Sequence, residues 1–437
     1  MMKKYLYSRF LAKRFRAARE VNALLSRVTT RKDIESFQVA RFNEVWRDAW
    51  SHIPFYREWK NKYSLPEEIS CLEELSCWPI LTKVDLINLD PLIRSDAPMP
   101  ADHIMTGGST GTPVRLPIWP NPETVLSLAV GRSWYDIGPI ERTFLLWGHL
   151  HLYGKGVRRC VNIVKRRLKD WLAGWRRVSA YDLSREAMER AYREFASFKP
   201  SFVIGYSPSI LTFCRINQRH VGQVRSVKTV LCSAGPLSPD EKAEIETFFD
   251  ARVCMEYGSV ECGVMAYTHP SDGKYRVFWN THLLQVVKDK CGEYRNIVTL
   301  LSKKYIPLIR YDIGDFLLLG PEELKRTESI LHVDDVLGRP SEFLNFKCGV
   351  SFFAWAVGDC VKQCAKVINH QIVVNENNDS LTLKLVTKTP LNKEDERLIR
   401  DKISTIVSGC EKLKIEFVEV SAIPTAPSGK IIRVVRQ

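Results

Sequence analysis

The sequence predicts an α/β protein: a large N-terminal domain with mostly parallel sheets clad by helices over residues 1–339, and a small, mobile α+β C-terminal domain over residues 340–437. Three observations lead there. Strand-like and helix-like segments alternate between Thr143 and Glu256, the pattern that builds a parallel sheet with helices on both faces. Several of the strand-like segments end in glycine-containing turns, and such sheets bind ligands at the carboxyl ends of their strands. After Gly338-Arg339, about a hundred residues carry an alternation of their own, a size that suits a small lid.

The elements follow in chain order. Apolar Val21, Leu24, Leu25, Val28, Phe42, Val45, Trp46 and Trp50 recur at helical spacing through about residues 20 to 60, and Pro54 after His52-Ile53 ends that helix. Pro79 to Asp85 reads as a turn into a new helix capped by Thr82, with Asp85 at its third position. Thr143–Gly148 reads as a buried strand, Arg185 to Phe198 as a helix stopped by Lys199-Pro200, and Phe202–Tyr206 as the next strand. A short strand from Val227 to Cys232, the turn Ser233-Ala234-Gly235-Pro236, a helix from Pro239 to Phe249 and a strand Arg252–Glu256 complete the large domain's alternation. In the small domain the expected order is a helix near Ala354 to Ala365, strands His370–Asn375 and Leu381–Val386, a helix Asn392–Val407 and a strand Ile415–Val420.

Composition limits the setting. The chain has 437 residues, 45% hydrophobic and 26% charged, which is ordinary for a soluble globular protein. No apolar run approaches a membrane helix, and the N-terminus leads into arginines without a hydrophobic signal core, so a cytoplasmic location is expected. Twelve cysteines without a CxxC pair read as reduced, mostly buried thiols. The formal charge of +14 is locally concentrated. Lys3, Lys4, Arg9, Lys13, Arg14, Arg16 and Arg19 meet no acidic residue and alternate with Tyr5, Leu6, Phe10, Leu11 and Phe15. That pattern fits a basic amphipathic helix on a membrane surface, on a partner or on its own domain, or else a solvated terminal helix. A second cluster runs from Arg158-Arg159 through Lys165-Arg166-Arg167 to Arg176-Arg177 and includes Trp171 and Trp175. Their four-residue spacing reads as a helix face packed on the core in preference to bases stacked among arginines.

Three stretches carry the chemistry. Thr106-Gly107-Gly108-Ser109-Thr110-Gly111-Thr112-Pro113 has three glycines and four hydroxyls in eight residues, suited to a loop whose N–H groups wrap an anion. It lacks the lysine of a GxxxxGK[ST] loop. Tyr257-Gly258-Ser259-Val260-Glu261 follows a predicted strand, where the Glu261 carboxylate is placed to hold Mg²⁺ beside nucleotide phosphates. Arg310-Tyr311-Asp312-Ile313-Gly314-Asp315 follows another apolar run, and a carboxylate there can chelate two ribose hydroxyls. Each stretch taken singly is also compatible with an ordinary acidic or Ser/Gly turn.

Together, and in this order, they resemble the adenylate-forming superfamily, within it the phenylacetate–coenzyme A ligase branch with its CapK-like polysaccharide members. The resemblance spans most of the chain from His52-Ile53-Pro54-Phe55-Tyr56 onward. It implies a phosphate loop at Thr106 to Thr112, an adenine-side loop at Ser233-Ala234-Gly235, a stacking tyrosine at Tyr257 with Gly258 and Ser259, and a ribose ligand at Asp315. It also implies a hinge at Gly338-Arg339 and a terminal motif, Pro424 to Lys430, that supplies a catalytic lysine. Lys430, Glu261 and Thr106 are then the catalytic groups, ATP and Mg²⁺ the cofactors and coenzyme A a candidate acceptor. A lid turning about the hinge would bring Lys430 in for adenylation and withdraw it for transfer. By analogy with the fold, the carboxylate pocket is lined by Leu145 to Tyr153, Gly205-Tyr206 and Gly235, with His149 and Tyr206 as candidate substrate contacts. Two places depart from the pattern: Ser341 stands where the hinge usually has an acidic residue, and Ser233-Ala234 runs into Gly235 where glutamate is frequent.

The implied function is an ATP-dependent ligase that forms acyl-AMP and passes the acyl group to coenzyme A, or to an amine or hydroxyl in polysaccharide synthesis. A noncatalytic nucleotide-binding relative and a nucleic-acid-binding protein are the competing classes. The first is disfavoured by the presence of Glu261, Asp315 and Lys430, and no nucleic-acid motif supports the second. Cys254, Cys262 and His269 lie near one another in sequence without a fourth metal ligand, so no structural metal is expected.

Overall fold

A computed structural model describes residues 20, 23–24, 27–28, 30–87, 90–105, 114–119, 122–138, 141–147, 156–180, 183–288, 294–338, 343–348, 350–362, 364–375, 377, 380–406, 410–424 and 433–437. Described residues within Met1–Pro139 and Cys254–Gly338 form one compact unit, and those within Ile140–Val253 and Arg339–Gln437 form a second.

The first unit begins with helix α1 (Arg31–His52), whose N-cap Thr30 accepts a hydrogen bond from Asp33 N. Ile53 ends it, and Pro54, which needs no N–H at a first helical position, opens α2 (Pro54–Lys62). The inner face of α1 buries Phe42, Val45, Trp46 and Ala49, and Trp46 meets Trp78 edge to face with centroids 5.5 Å apart. The expected helix after Thr82 is absent. Residues 83–87 are a turn, and Thr82 N and Oγ1 both donate to Asp85 Oδ2, at 2.7 and 2.6 Å. This capping arrangement closes a local turn without a helix behind it, since Leu81 is committed to strand pairing: its N donates to Arg310 O and its O accepts from Asp312 N. A short hairpin, β1 (His103–Met105) and β2 (Arg115–Pro117), and helix α3 (Pro122–Ser133) complete this part.

The second unit contains the parallel sheet expected from the alternation: β3 (Thr143–Trp147), α4 (Gly156–Ala173), β4 (Trp175–Ser179), α5 (Arg185–Phe198), β5 (Phe202–Tyr206), α6 (Ser207–Ile216), β6 (Thr229–Ser233) and α7 (Pro239–Phe249). The strand order is β4–β3–β5–β6, all parallel, with Thr143 opposite Phe202 and Tyr206 opposite Ser233. Local rules account for the helix ends. Ser184 caps α5, which stops at the left-handed Lys199 ahead of Pro200, and Ser238 with Glu241 forms a capping box on α7.

The chain then returns to the first unit as antiparallel strands: β7 (Arg252–Ser259), β8 (Gly263–Thr268), β9 (Tyr275–Val277), β10 (His282–Lys288), β11 (Tyr294–Leu300), β12 (Tyr311–Leu318), β13 (His332–Val333) and β14 (Asp335–Gly338). Two sheets result, one pairing β7–β8–β9–β13 and one ordered β10–β11–β12–β14. The buried Arg310 guanidinium ties this part to the N-terminal segment: Nη1 donates to the carbonyls of Leu75, Ser76 and Trp78 at 2.7, 2.9 and 2.6 Å.

The small C-terminal domain has a hairpin, β15 (Phe343–Asn345) and β16 (Ser351–Phe353), helices α8 (Ala354–Lys362) and α9 (Lys393–Ile406), and a sheet ordered β19–β18–β17–β20. Strands β17 (Val367–Val374) and β18 (Ser380–Thr387) are antiparallel, while β19 (Lys414–Glu419) and β20 (Val434–Arg436) run parallel to their neighbours. One apolar cluster fills it, including Val357, Val361, Ile372, Leu381, Leu383, Ile399 and Ile403. Within the second unit this domain meets α6: Arg215 grips Glu244 and also donates to Ile368 O at 3.2 Å.

Candidate active site

In the first unit, β7 and β12 bring two of the three candidate stretches together. Tyr257 on β7 donates its hydroxyl to Asp315 Oδ2 on β12 at 3.1 Å and accepts from Asn296 Nδ2 on β11 at 2.8 Å. All three side chains are buried. Burial, and after it the negative charge of Asp315, pushes the Tyr257 hydroxyl well above its ordinary range, so it stays a donor at neutral pH. Asp315 therefore has one oxygen engaged by a fixed donor.

Asp315 itself is part of strand β12, where the sequence suggested a turn. Pairing with β11 flanks the motif, with Asp312 opposite Ile297 and Phe316 opposite Arg295, and the register shifts between those pairs, so Asp315 sits at a bulge; Asp312 forms an ion pair with Arg295. Gly314, at φ +78°, supplies the left-handed backbone of that bulge. Glu261 lies in the turn between β7 and β8, as its position after a strand suggested, and Tyr311 OH approaches its Oε1 at 3.4 Å. Gly258 cannot be another residue without rearrangement: a Cβ there would lie 2.5 Å from Gly263 O and 2.8 Å from Val264 Cα. Ser259 Oγ accepts from Cys262 N at 3.0 Å and shapes the same turn.

In the second unit, Ser233 ends β6 and Ala234 takes φ +63°, a left-handed conformation uncommon for a residue with a Cβ and one that accumulates at functional turns. Ser207, at the start of α6, holds this turn by donating toward Gly235 O at 2.7 Å and Ser233 O at 3.2 Å. Tyr206 is buried, its ring 4.3 Å from that of Trp147.

Thr106, Gly107, Gly108, Ser109, Thr110, Gly111, Thr112, His149, Arg339 and Lys430 lie outside the described residues, as does the basic segment from Lys3 to Arg19. Asn296 and Ser207 went unnoticed in the sequence, and Tyr311 stood within its candidate stretch without an assigned role. Asn296 left one trace, an amide immediately before the run Ile297-Val298-Thr299-Leu300, but nothing local says which carboxylate or phenol it serves.

The metal reading of Cys254 and Cys262 has no support in their surroundings. Among the described residues neither thiol gathers with two further His, Cys, Asp or Glu ligand atoms, and burial, first among the causes for both, raises both thiols, to about 12 for Cys254. Asp48, His52 and Asp96 gather ligand atoms within 4.8 Å, but Arg94 engages both carboxylates, at 2.8 and 3.1 Å for Asp48 and 2.9 Å for each oxygen of Asp96. That cluster is an ion-pair network.

Comparison with known proteins adds likenesses of domain and fold. Residues 352–437 match the family described as the CapK C-terminal domain. The fold is similar to that of 2-hydroxyisobutyryl-CoA ligase in its postadenylation state with R3-HIB-AMP, at TM-score 0.71 and 15% identity over 93% of this chain and 89% of that one. The chain has the adenylate-forming fold and ends in a CapK-type domain. The anthranilate CoA ligase AuaEII with anthranoyl-AMP is similar at TM-score 0.53 and 13% identity, over 76% of this chain and 65% of that one. ATP-bound MatB from Rhodopseudomonas palustris is similar at TM-score 0.50 and 10% identity, over 75% and 66% respectively. No curated protein sequence matches significantly. The CapK-type domain contains β17 to β20 with α8 and α9, and Lys430 falls within its matched span. No described helix is long and apolar enough to cross a membrane.

Proposed function

We propose that the chain is an ATP- and Mg²⁺-dependent ligase that activates a carboxylic acid as acyl-AMP. The observation that carries this reading is the buried relay Asn296–Tyr257–Asp315, which holds together the tyrosine and the carboxylate that the resemblance assigns to adenine and ribose. Asp315 is assigned to the ribose hydroxyls, Tyr257 to the adenine side with Ser233, Ala234 and Gly235, and Thr106 to Thr112 to the phosphates. Arg339 is assigned to the hinge end of the nucleotide site. Glu261 is a hard carboxylate in a β-turn, and magnesium favours one or two carboxylates completed by phosphate oxygens, so its donor chemistry fits that ion. When bound, magnesium would offset phosphate charge.

The first step joins a substrate carboxylate oxygen to the α-phosphorus of ATP and breaks the bond to the β-phosphate bridge, releasing pyrophosphate. Both reactants are anions. Lys430 supplies the cation between them, and the N–H and hydroxyl groups of residues 106–112 receive the phosphate charge. In the second step a nucleophile forms a bond to the acyl carbon, AMP leaves, and the nucleophile's proton passes to solvent. Coenzyme A is the acceptor we favour, following the CoA ligases among the structural neighbours. His149 and Tyr206 are assigned to the carboxylate pocket. An amine or sugar hydroxyl is the second reading, and the CapK-type domain favours it.

The test is incubation with ATP, Mg²⁺ and a carboxylic-acid library, with pyrophosphate and acyl-AMP as readouts, followed by coenzyme A, amine and sugar acceptors supplied separately. Wild type should form acyl-AMP, and Lys430→Ala should lose adenylation by at least about 100-fold while still transferring from supplied acyl-AMP. Absence of acyl-AMP across the library, or unchanged pyrophosphate release by the variant, would overturn the reading. Acyl-AMP that persists with coenzyme A but is consumed by an amine or sugar selects the second acceptor class.

A further inference from the structure

Helix α4 is amphipathic in an unexpected direction. The sequence reading placed Trp171 and Trp175 on one helix face packed against the core, and the structure overturns this. The helix ends at Ala173, Trp175 belongs to β4, and Trp171 is 62% exposed. Val164, Leu168 and Leu172 are likewise exposed, at 66%, 57% and 37%. With each residue advancing about 100° around the axis, these four side chains occupy an arc of about 100° and extend about 12 Å along the helix. Exposed Arg167 borders one side of the arc, and exposed Lys165 and Lys169 border the other. The inward face is made differently. Ala173 is buried, and Asp170 pairs with Arg177 of β4 at 2.7 Å with both side chains nearly covered.

We propose that the outward face of α4 seats the protein on an anionic lipid surface. The chemistry of the face selects this occupant. An apolar arc bordered by Lys and Arg, with a tryptophan in it, has the composition of helices that lie in the headgroup region, where aliphatic side chains enter the acyl boundary and long cations reach phosphates. The only acidic residue between Val164 and Ala173 is Asp170, and it is turned inward onto Arg177, so no described anion of this stretch opposes lipid phosphate. A second copy of the chain is a poorer occupant, since two such faces would oppose cation to cation. Nucleic acid would use the cations and the tryptophan but leave Val164, Leu168 and Leu172 without a role.

The experiment uses the full chain, so the basic N-terminus is present in every sample. Sedimentation with phosphatidylcholine vesicles, and with vesicles containing phosphatidylglycerol, compares wild type with Leu168→Glu combined with Trp171→Glu. Wild type should bind the anionic vesicles and lose binding as salt rises, and the double variant should bind them about tenfold less. Leu168→Ala is a milder variant that keeps the test valid if the double variant unfolds, and it should reduce binding in the same direction. Trp171→Phe should remove most of the lipid-induced blue shift of tryptophan emission while the protein remains bound. Equal vesicle binding by wild type and the α4 variants overturns the proposal. So does a lipid-free dimer that dissociates in the double variant while vesicle binding is unchanged, which would assign the face to self-association.

Discussion

Helices α4 and α5 are consecutive, belong to one unit and are both strongly amphipathic, yet they present their apolar residues in opposite directions. Helix α5 buries Met188, Ala191, Tyr192 and Phe195, and Phe195 sits within an aromatic cluster, 5.4 Å from Phe144, 5.7 Å from Phe213 and 5.5 Å from Phe249. Helix α4 exposes its apolar arc and rests on Ala173 and the Asp170–Arg177 pair. Helical periodicity shows that a face exists. What covers that face is decided by its neighbours: β4 ends the parallel order and meets α4 with an arginine, whereas α5 sets Phe195 against Phe144, Phe213 and Phe249.

The contrast predicts a graded series. The largest effect is expected for Phe195→Ala, at about 3–5 kcal/mol of stability, because it removes a ring from a packed cluster. Urea denaturation of the variant measures it, and a loss below about 1 kcal/mol would mean that α5 is no better anchored than α4. Next is a pH effect on the other unit that serves as a reference. Burial, the largest cause, pushes His282 down to about 4 from an ordinary 6.5, while its ring contacts Cys262 O at 3.0 Å and Thr281 Oγ1 at 2.9 Å. Between those values the unfolded chain binds the proton and the folded chain does not. Stability is therefore complete above about pH 6.5 and falls by about 3 kcal/mol toward pH 4. His282→Gln should flatten that window in a pH series of denaturation curves, and an unchanged slope would show that other groups dominate it.

Asp170→Ala should cost about 2–4 kcal/mol, since Arg177 is left nearly buried without its anion. A cost comparable to an exposed pair, below about 1 kcal/mol, would mean that Ala173 and the backbone hold α4 by themselves. The smallest effect is that of Leu168→Ala in solution, within about 0.5 kcal/mol, as expected of an exposed site. A loss of about 2 kcal/mol or more would place Leu168 in a core and remove the contrast.

Much of the architecture was legible where chain-local rules decide it. The helix around Arg185 to Phe198 and the strand from Phe202 to Tyr206 fall where they were read, because Lys199-Pro200 stops the one and a short apolar run makes the other. In the small domain the five elements read from the sequence are displaced by only a few residues, while the short strands β15, β16 and β20, of three residues each, gave no periodicity to read. Thr82 failed because a cap can close a turn as well as a helix, and the partner that decides between them, Tyr311, is 230 residues away. Trp171 and Trp175 failed because Gly174, at φ +73°, ends the helix between them. In the site, the motif residues Tyr257, Glu261 and Asp315 could be singled out, but not the Asn296 amide that sets the Tyr257 hydroxyl. A buried hydrogen bond across two strands has no local sequence pattern.

The first unit is discontinuous in the chain, and this has a consequence for biosynthesis. Its N-terminal segment ends by residue 139, while the strands it packs against begin at Cys254 and finish at Gly338. Between them the ribosome must make the whole 140–253 segment. At roughly 5–20 residues per second, the carbonyls of Leu75, Ser76 and Trp78 wait about 10–40 s for the Arg310 guanidinium that engages them. During that interval the N-terminal segment lacks both that buried cation and the bridge from Leu81 to Tyr311, so until then it is held by its own contacts, among them Trp78 with Phe42 and Trp46.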